Sequence, residues 1–216
     1  MFVEAGISYM EGRLLVRRLP LQSAEVGSRN ARDIFRFYRP MLLSAFIAVS
    51  ITPVINILLG KTIHLELAIS SYTIAFSVTW LAISFHTYMH QIVLNFYRLQ
   101  PQLVFRVGLI LGVIPGIILI IIGFTAWGEW ILQNLVGVSG DLLTATKQAL
   151  RVFVLFALVF PWVDYYNGIV MLRGQTKLMV WSQGANLALT FVIMFCGVLL
   201  APGWNGSLGA LAQSIG

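Results

Sequence analysis

Apolar residues run through this chain in long uninterrupted blocks, at residues 41–60, 67–97, 107–127, 152–172 and 178–200, separated by short polar joints. About twenty helical residues cross a hydrocarbon core some 30 Å thick, so each block is long enough to span a bilayer. The blocks are continuously apolar rather than alternating, and lipid admits only helices or closed barrels, so helices are predicted. The second block holds no Asp, Glu, Lys or Arg. As one helix it would be about 46 Å long at 1.5 Å per residue, so it must tilt or project beyond the membrane. The prediction is an all-α polytopic helical membrane protein with five complete spans and a partial sixth.

That sixth element is residues 206–216, GSLGALAQSIG, with the small-residue texture of a packed membrane helix but about half the length of a span. At the other end, residues 1–10 are mostly apolar but contain Glu4, and residues 11–18 are strongly charged. A signal peptide would need a basic start, an apolar centre and a small-residue cleavage site. Residues 1–31 therefore read as the end of a preceding helix with a cytoplasmic linker, and residues 32–216 as a transmembrane lobe. The expectation is a piece of a larger protein or a truncated reading frame. The longest connection, residues 128–151, contains Gly137, Gly140 and Asp141 and then a helix-like run over residues 142–151. It is expected to lie on the outer surface as a short amphipathic link between two groups of helices.

Composition agrees with the pattern: 58% of the 216 residues are hydrophobic and 10% charged, against about 25% charged in an ordinary soluble domain. The net charge of +6 would point to nucleic acid in a soluble protein, but its placement explains it differently. Arg13, Arg17, Arg18, Arg29, Arg32, Arg36 and Arg39 precede the first span, and alternate joints carry Arg98 with Arg106 and Arg173 with Lys177. Only Lys61, Lys147 and Arg151 fall on the other side. The basic side is expected to be cytoplasmic, in the plasma membrane, with a cytoplasmic N-terminus and no nucleic-acid partner. Trp127, Trp130 and Trp204 sit at the expected outer boundary, where amphipathic rings settle. The single cysteine, Cys196, lies in an apolar run, so neither an intrachain disulfide nor a thiolate cluster is possible.

Asp164 is the most informative position for chemistry. It lies nine residues from Arg173 and thirteen from Arg151, well inside the fourth block. An ionised carboxylate there costs about 2.5–3.5 kcal/mol on insertion scales, so such a residue usually faces a cavity or a partner. It is expected to carry a coupling proton or Na⁺; structurally it could equally be an acid bonded to neighbouring helices, with Asn167 as companion. Pro161, three residues earlier, cannot donate to the carbonyl of Ala157 and should kink the helix. Pro53 and Asn56 repeat the arrangement in the first span, nearer the outside, and the two need not share one site. Kinked helices with a polar residue beside the break are how transporters present ligands in mid-membrane.

His86 and His90 share a helix face at i and i+4. With two ligands and no nearby acid in sequence they are read as interfacial packing, a possible proton relay or substrate contact, and not a metal site. Gly108, Gly112 and Gly116 line one face of the third span and predict close helix packing. Tyr72, Phe76 and Trp80 could line a solute cavity or merely pack. No GxxxxGK[ST], GxSxG or HExxH occurs, so neither an enzyme nor a cofactor is expected.

The segment RDIFRFYRPMLLSAFIAVSITPVINILLGKT, from Arg32 to Thr62, resembles the opening of a lobe in the superfamily of multidrug and lipid-linked-sugar exporters that includes the MATE transporters. More narrowly it looks like the bacterial relatives of the progressive ankylosis (ANK) membrane proteins. FPWVDYYNGIVMLRGQTKLMVWSQGANLALTFV, from Phe160 to Val192, is similar to the same pattern: a Pro-x-x-Asp helix, an Arg-Gly-x-Thr-Lys turn, then a small and amide-rich stretch around Gly184 and Asn186. The resemblance implies two lobes of six helices working by alternating access, of which this chain would be the second, with its partner lobe missing or separately encoded. Asn56 and Asp164 would face the cavity. The function implied is H⁺- or Na⁺-coupled export of an organic or amphipathic small molecule. The alternatives are a flippase for a lipid-linked oligosaccharide, against which the absence of basic residues inside the spans argues, and a non-transporting membrane partner that packs through its glycine face.

Overall fold

A computed structural model describes residues 31–216, and no strand occurs among them. They form eight α-helices, in order α1 Ala31–Leu59, α2 Leu65–Ile83, α3 Met89–Phe96, α4 Pro101–Phe124, α5 Ala126–Asn134, α6 Gly140–Leu172, α7 Lys177–Leu200 and α8 Gly206–Ile215. Short 3-10 turns occupy Ser84–His86 and Pro202–Trp204. The chain divides into two compact units after Arg36, and the helices pack together within the second, Phe37–Gly216. What the sequence led us to expect of residues 1–30, including Arg13, Arg17, Arg18 and Arg29, lies outside the described residues.

Five helices, α1, α2, α4, α6 and α7, are long and apolar enough to cross a membrane. The chain is a polytopic helical membrane protein. α6 is the central element, packed against α2, α3, α4 and α8. Its buried residues Leu143, Thr146, Leu150, Phe153, Ala157, Pro161, Tyr165 and Gly168 recur at three- and four-residue spacing, as one face of a helix requires. Against it α4 turns Gly108, Gly112 and Gly116, all buried. A Cβ on Gly112 would stand 3.2 Å from Cβ of Pro161, and one on Gly116 would collide with Leu158. Between these glycines sits buried Pro115, whose missing N–H leaves the carbonyl of Leu111 without its helical donor.

The second crossing is not the single helix expected over residues 67–97. α2 ends at Ile83, a 3-10 turn comes next, and α3 restarts at Met89. No proline or glycine causes this break. The Ser84 hydroxyl donates to the carbonyl of Leu81 at 2.6 Å, and the Thr87 hydroxyl to that of Ser84 at 3.0 Å. Short hydroxyl side chains compete for backbone in this way and turn a helix aside.

The link between the third and fourth spans also differs. Residues 142–151 are not a separate surface segment: they belong to α6, which runs unbroken for 33 residues, because nothing between Asp141 and Phe160 interrupts a helix. The surface element is α5, whose N-cap Thr125 accepts from the amide of Gly128 at 3.3 Å. Lys147 ties it to α6 by donating to Glu129 at 2.9 Å.

α8 is short but central. Ser207, Leu208, Gly209, Ala210 and Ala212 are buried against α2, α6 and α7. Hydroxyls stitch it in: Ser214 donates to the carbonyl of Val152 of α6 at 3.5 Å, Thr190 of α7 to that of Ala212 at 3.4 Å, and Tyr72 of α2 to Gln213 at 3.4 Å. α7, by contrast, buries only Thr190 and Met194. In water that would be an unstable helix, but lipid covers apolar faces at no cost.

Candidate functional site: an acid at a helix break

Helix α3 begins inside the second crossing, so its first amide groups have no partner in the preceding turn. Its N-cap residue, Tyr88, makes no side-chain capping bond. The vacancy is filled from another helix. Asp164 of α6 accepts the backbone N–H of His90 through Oδ2 at 2.9 Å. The same carboxylate meets the His90 ring: Nδ1 stands 3.0 Å from Oδ1 and 3.2 Å from Oδ2. One carboxylate thus caps a helix and pairs with an imidazole across 74 residues of sequence. The pair is largely shielded, with side-chain exposures of 28% for His90 and 13% for Asp164.

Neighbouring residues hold α3 in place. Gly168, one turn past Asp164, lies directly beneath it: a Cβ there would stand 2.8 Å from Cβ of Val93 and 3.0 Å from both Cα and the carbonyl oxygen of His90. Opposite, Met89 reaches over Gly108 of α4. Tyr165 is buried with its ring edge-on to Tyr97 and Phe105. Pro161 is buried at the α4 contact, so the weakened turn of α6 lies one turn from Asp164. His86, in the 3-10 turn, is buried and its Nε2 has no hydrogen-bond partner.

The residues singled out in the sequence therefore divide. Asp164, His90 and Pro161 come together, with His86 in the adjoining turn. Asn167 is half-buried and no hydrogen bond joins it to Asp164, so the acid's companion is His90. Asn56 belongs elsewhere: its Oδ1 is buried on α1 without a partner, and no hydrogen bond links it to the pair. Pro53 is exposed on the same helix. No group of three or more His, Cys, Asp or Glu side chains is placed to hold a metal ion among the described residues.

Sequence reasoning missed Gly168, Pro115 and the inward glycines of α8, Gly206 and Gly209. A glycine next to a polar residue inside a span was the available signal, since small residues mark close backbone approach.

A second feature lies beside α8. Phe76 and Trp80 of α2 stack at 5.9 Å, and Trp80 meets Phe160 of α6 edge-on at 5.5 Å. These rings, with Phe156, wall a cavity of about 230 Å³ whose other side carries Thr52, Gln183, Asn186 and Gln213. Tyr72 is fully buried below it. The cavity offers aromatic faces and neutral hydrogen-bonding groups and no side-chain charge.

Five helices long and apolar enough to cross a membrane place this chain in the class of polytopic helical membrane proteins. Comparison with protein-family models, with curated proteins and with solved structures finds no match to it.

Proposed function

We propose that this chain is a lobe of a secondary active transporter that exports an organic or amphipathic solute in exchange for a cation, with Asp164 as the cation-carrying group. One observation carries the reading: a carboxylate within a proline-containing span is fixed to the start of a discontinuous crossing. Intramembrane acids are costly and mark ion or substrate pathways, and interrupted helices are where transporters build such sites. The aromatic and amide cavity supplies a place for a solute with a flat apolar body and polar edges. Its lack of charged side chains favours this solute over a pyrophosphate-bearing lipid, which basic groups would recognise. A second lobe, as in the MATE-like pattern, would complete the pathway. The basic joints at Arg98, Arg106, Arg173 and Lys177 orient the lobe with that side in the cytoplasm of the plasma membrane.

The test is solute flux into everted vesicles carrying the full chain, driven in turn by a proton and a sodium gradient. Asp164→Asn keeps the size of the side chain and an acceptor for the His90 amide but removes the charge. Gradient-driven flux is expected to fall to the level of empty vesicles. Undiminished flux in the variant would remove Asp164 from the coupling role.

A further inference from the structure

The atoms around Asp164 distinguish between coupling cations. Sodium is a hard cation that takes oxygen ligands, and in interrupted helices it recruits freed backbone carbonyls. At this break the carbonyls of Leu81 and Ser84 already accept from Ser84 and Thr87. Both oxygens of Asp164 face nitrogen, the amide and the ring of His90. That is a poor cage for sodium and a suitable one for a proton, which needs only a carboxylate and an imidazole in hydrogen-bond contact.

We propose that the coupling cation is a proton held between Asp164 and His90, and that this pair is a clip which fastens the start of α3 to α6 and opens when both groups are protonated. With one proton shared, a carboxylate faces an imidazolium, the pair is neutral overall, and the charge-assisted bonds to the His90 ring and backbone are at full strength. A second proton converts Asp164 to a neutral carboxylic acid. Its attraction for the imidazolium is lost and its grip on the His90 amide falls to that of a neutral acceptor, while the pair gains one positive charge. α3 is then held only by packing, at Gly168 and Gly108 and through Val93 against Val104 and Tyr165, with Thr87 and Tyr88 as the joint on which it swings. Other titratable groups on the packed elements are His86 in the 3-10 turn, Tyr88 and Tyr97 flanking α3, Tyr165 and Tyr166 on α6 and Arg106 on α4; α6 also carries Asp141, Lys147 and Arg151, and α2 Glu66 and Tyr72, all toward the far ends of those helices. His86, buried with a free Nε2, stands four residues before His90, in the adjoining turn.

The proton assignment deepens the transport reading and takes the coupling step from it. The clip is a property of the fold and is tested without flux. In the full chain in lipid nanodiscs, infrared difference spectra on acidification should show a carboxylic acid carbonyl band that Asp164→Asn abolishes and His90→Gln moves. Over the same pH range, backbone hydrogen exchange at residues 87–93, corrected for its intrinsic pH dependence, should rise about tenfold, as expected for weakening one charge-assisted hydrogen bond. Sodium at constant pH should change neither signal. Three results would overturn the proposal: exchange at residues 87–93 that ignores pH, the same pH response in Asp164→Asn, or a response to sodium at constant pH. His90→Gln retains the backbone amide that Asp164 caps, so it supplies the spectral comparison should the Asn variant not fold. Absence of flux in the wild type with the clip signals intact would count against the transport reading alone, whereas flux driven by sodium but not by protons would overturn the proton assignment.

Discussion

Single residues decide how closely α3 approaches α6. Gly168 shows this most sharply, because the atoms a side chain would meet are the backbone of His90 as well as Val93, and backbone cannot rotate aside. Gly168→Ala should cost about 1–3 kcal/mol, the usual range for overpacking a tight contact. It should also raise hydrogen exchange on α3, because the start of that helix must lift from Asp164. Thermal unfolding in detergent alongside exchange measures both. Gly184 on α7 is the control: nothing lies within 4 Å of a Cβ there. Gly184→Ala should leave the midpoint unchanged or raise it slightly, since alanine is the better helix former by about 0.5–1 kcal/mol. Asp164 was legible in the sequence because an acid inside an apolar run is costly wherever it points. Its partner was not, because His90 lies 74 residues away and nothing local distinguishes a histidine that meets an acid from one at an interface.

At the scale of elements, the helices track the apolar blocks, while their ends are set by side-chain hydrogen bonds. The break between α2 and α3 needs Ser84 and Thr87 to bond backwards and Asp164 to cap the start of α3. Two of those three residues are local, so Ser-x-x-Thr in a long apolar stretch was a readable warning; the third arrives from another helix. α6 erred in the other direction, absorbing a segment that reads as a link, because polar residues at 141, 144, 147 and 148 suit the exposed face of a helix as well as a loop. α8 is the element on which packing of the bundle centre depends. A Cβ on Gly206 would stand 2.6 Å from the backbone nitrogen of Tyr72. Gly206→Val should therefore displace α8, and with it the Tyr72–Gln213 bond, and leave little folded protein on size-exclusion chromatography in detergent. A folded variant with unchanged melting would show that α8 is dispensable to the bundle.

For the whole molecule, topology is the property most open to direct test. Cys196 is the only cysteine and is exposed on α7, so Cys196→Ala provides a clean background. Gln175 and Gly203 are exposed in the joints before and after α7. A membrane-impermeant thiol reagent applied to intact cells should label Gly203→Cys and spare Gln175→Cys, and the reverse result would invert the orientation. The sequence by itself determined that the protein lives in a membrane, which stretches of residues 31–216 are long and apolar enough to cross it, which helix face of α4 is small and which acid lies within an apolar block. All of these depend on the cost of transferring residues from water to lipid, which each stretch bears independently of the rest. Only the tertiary structure decided that the second crossing is broken, that α8 fills the centre, and that Asp164 closes the break through His90. Those features come from groups that are distant along the chain and meet only after the helices pack, where a buried donor must find whichever acceptor geometry brings to it.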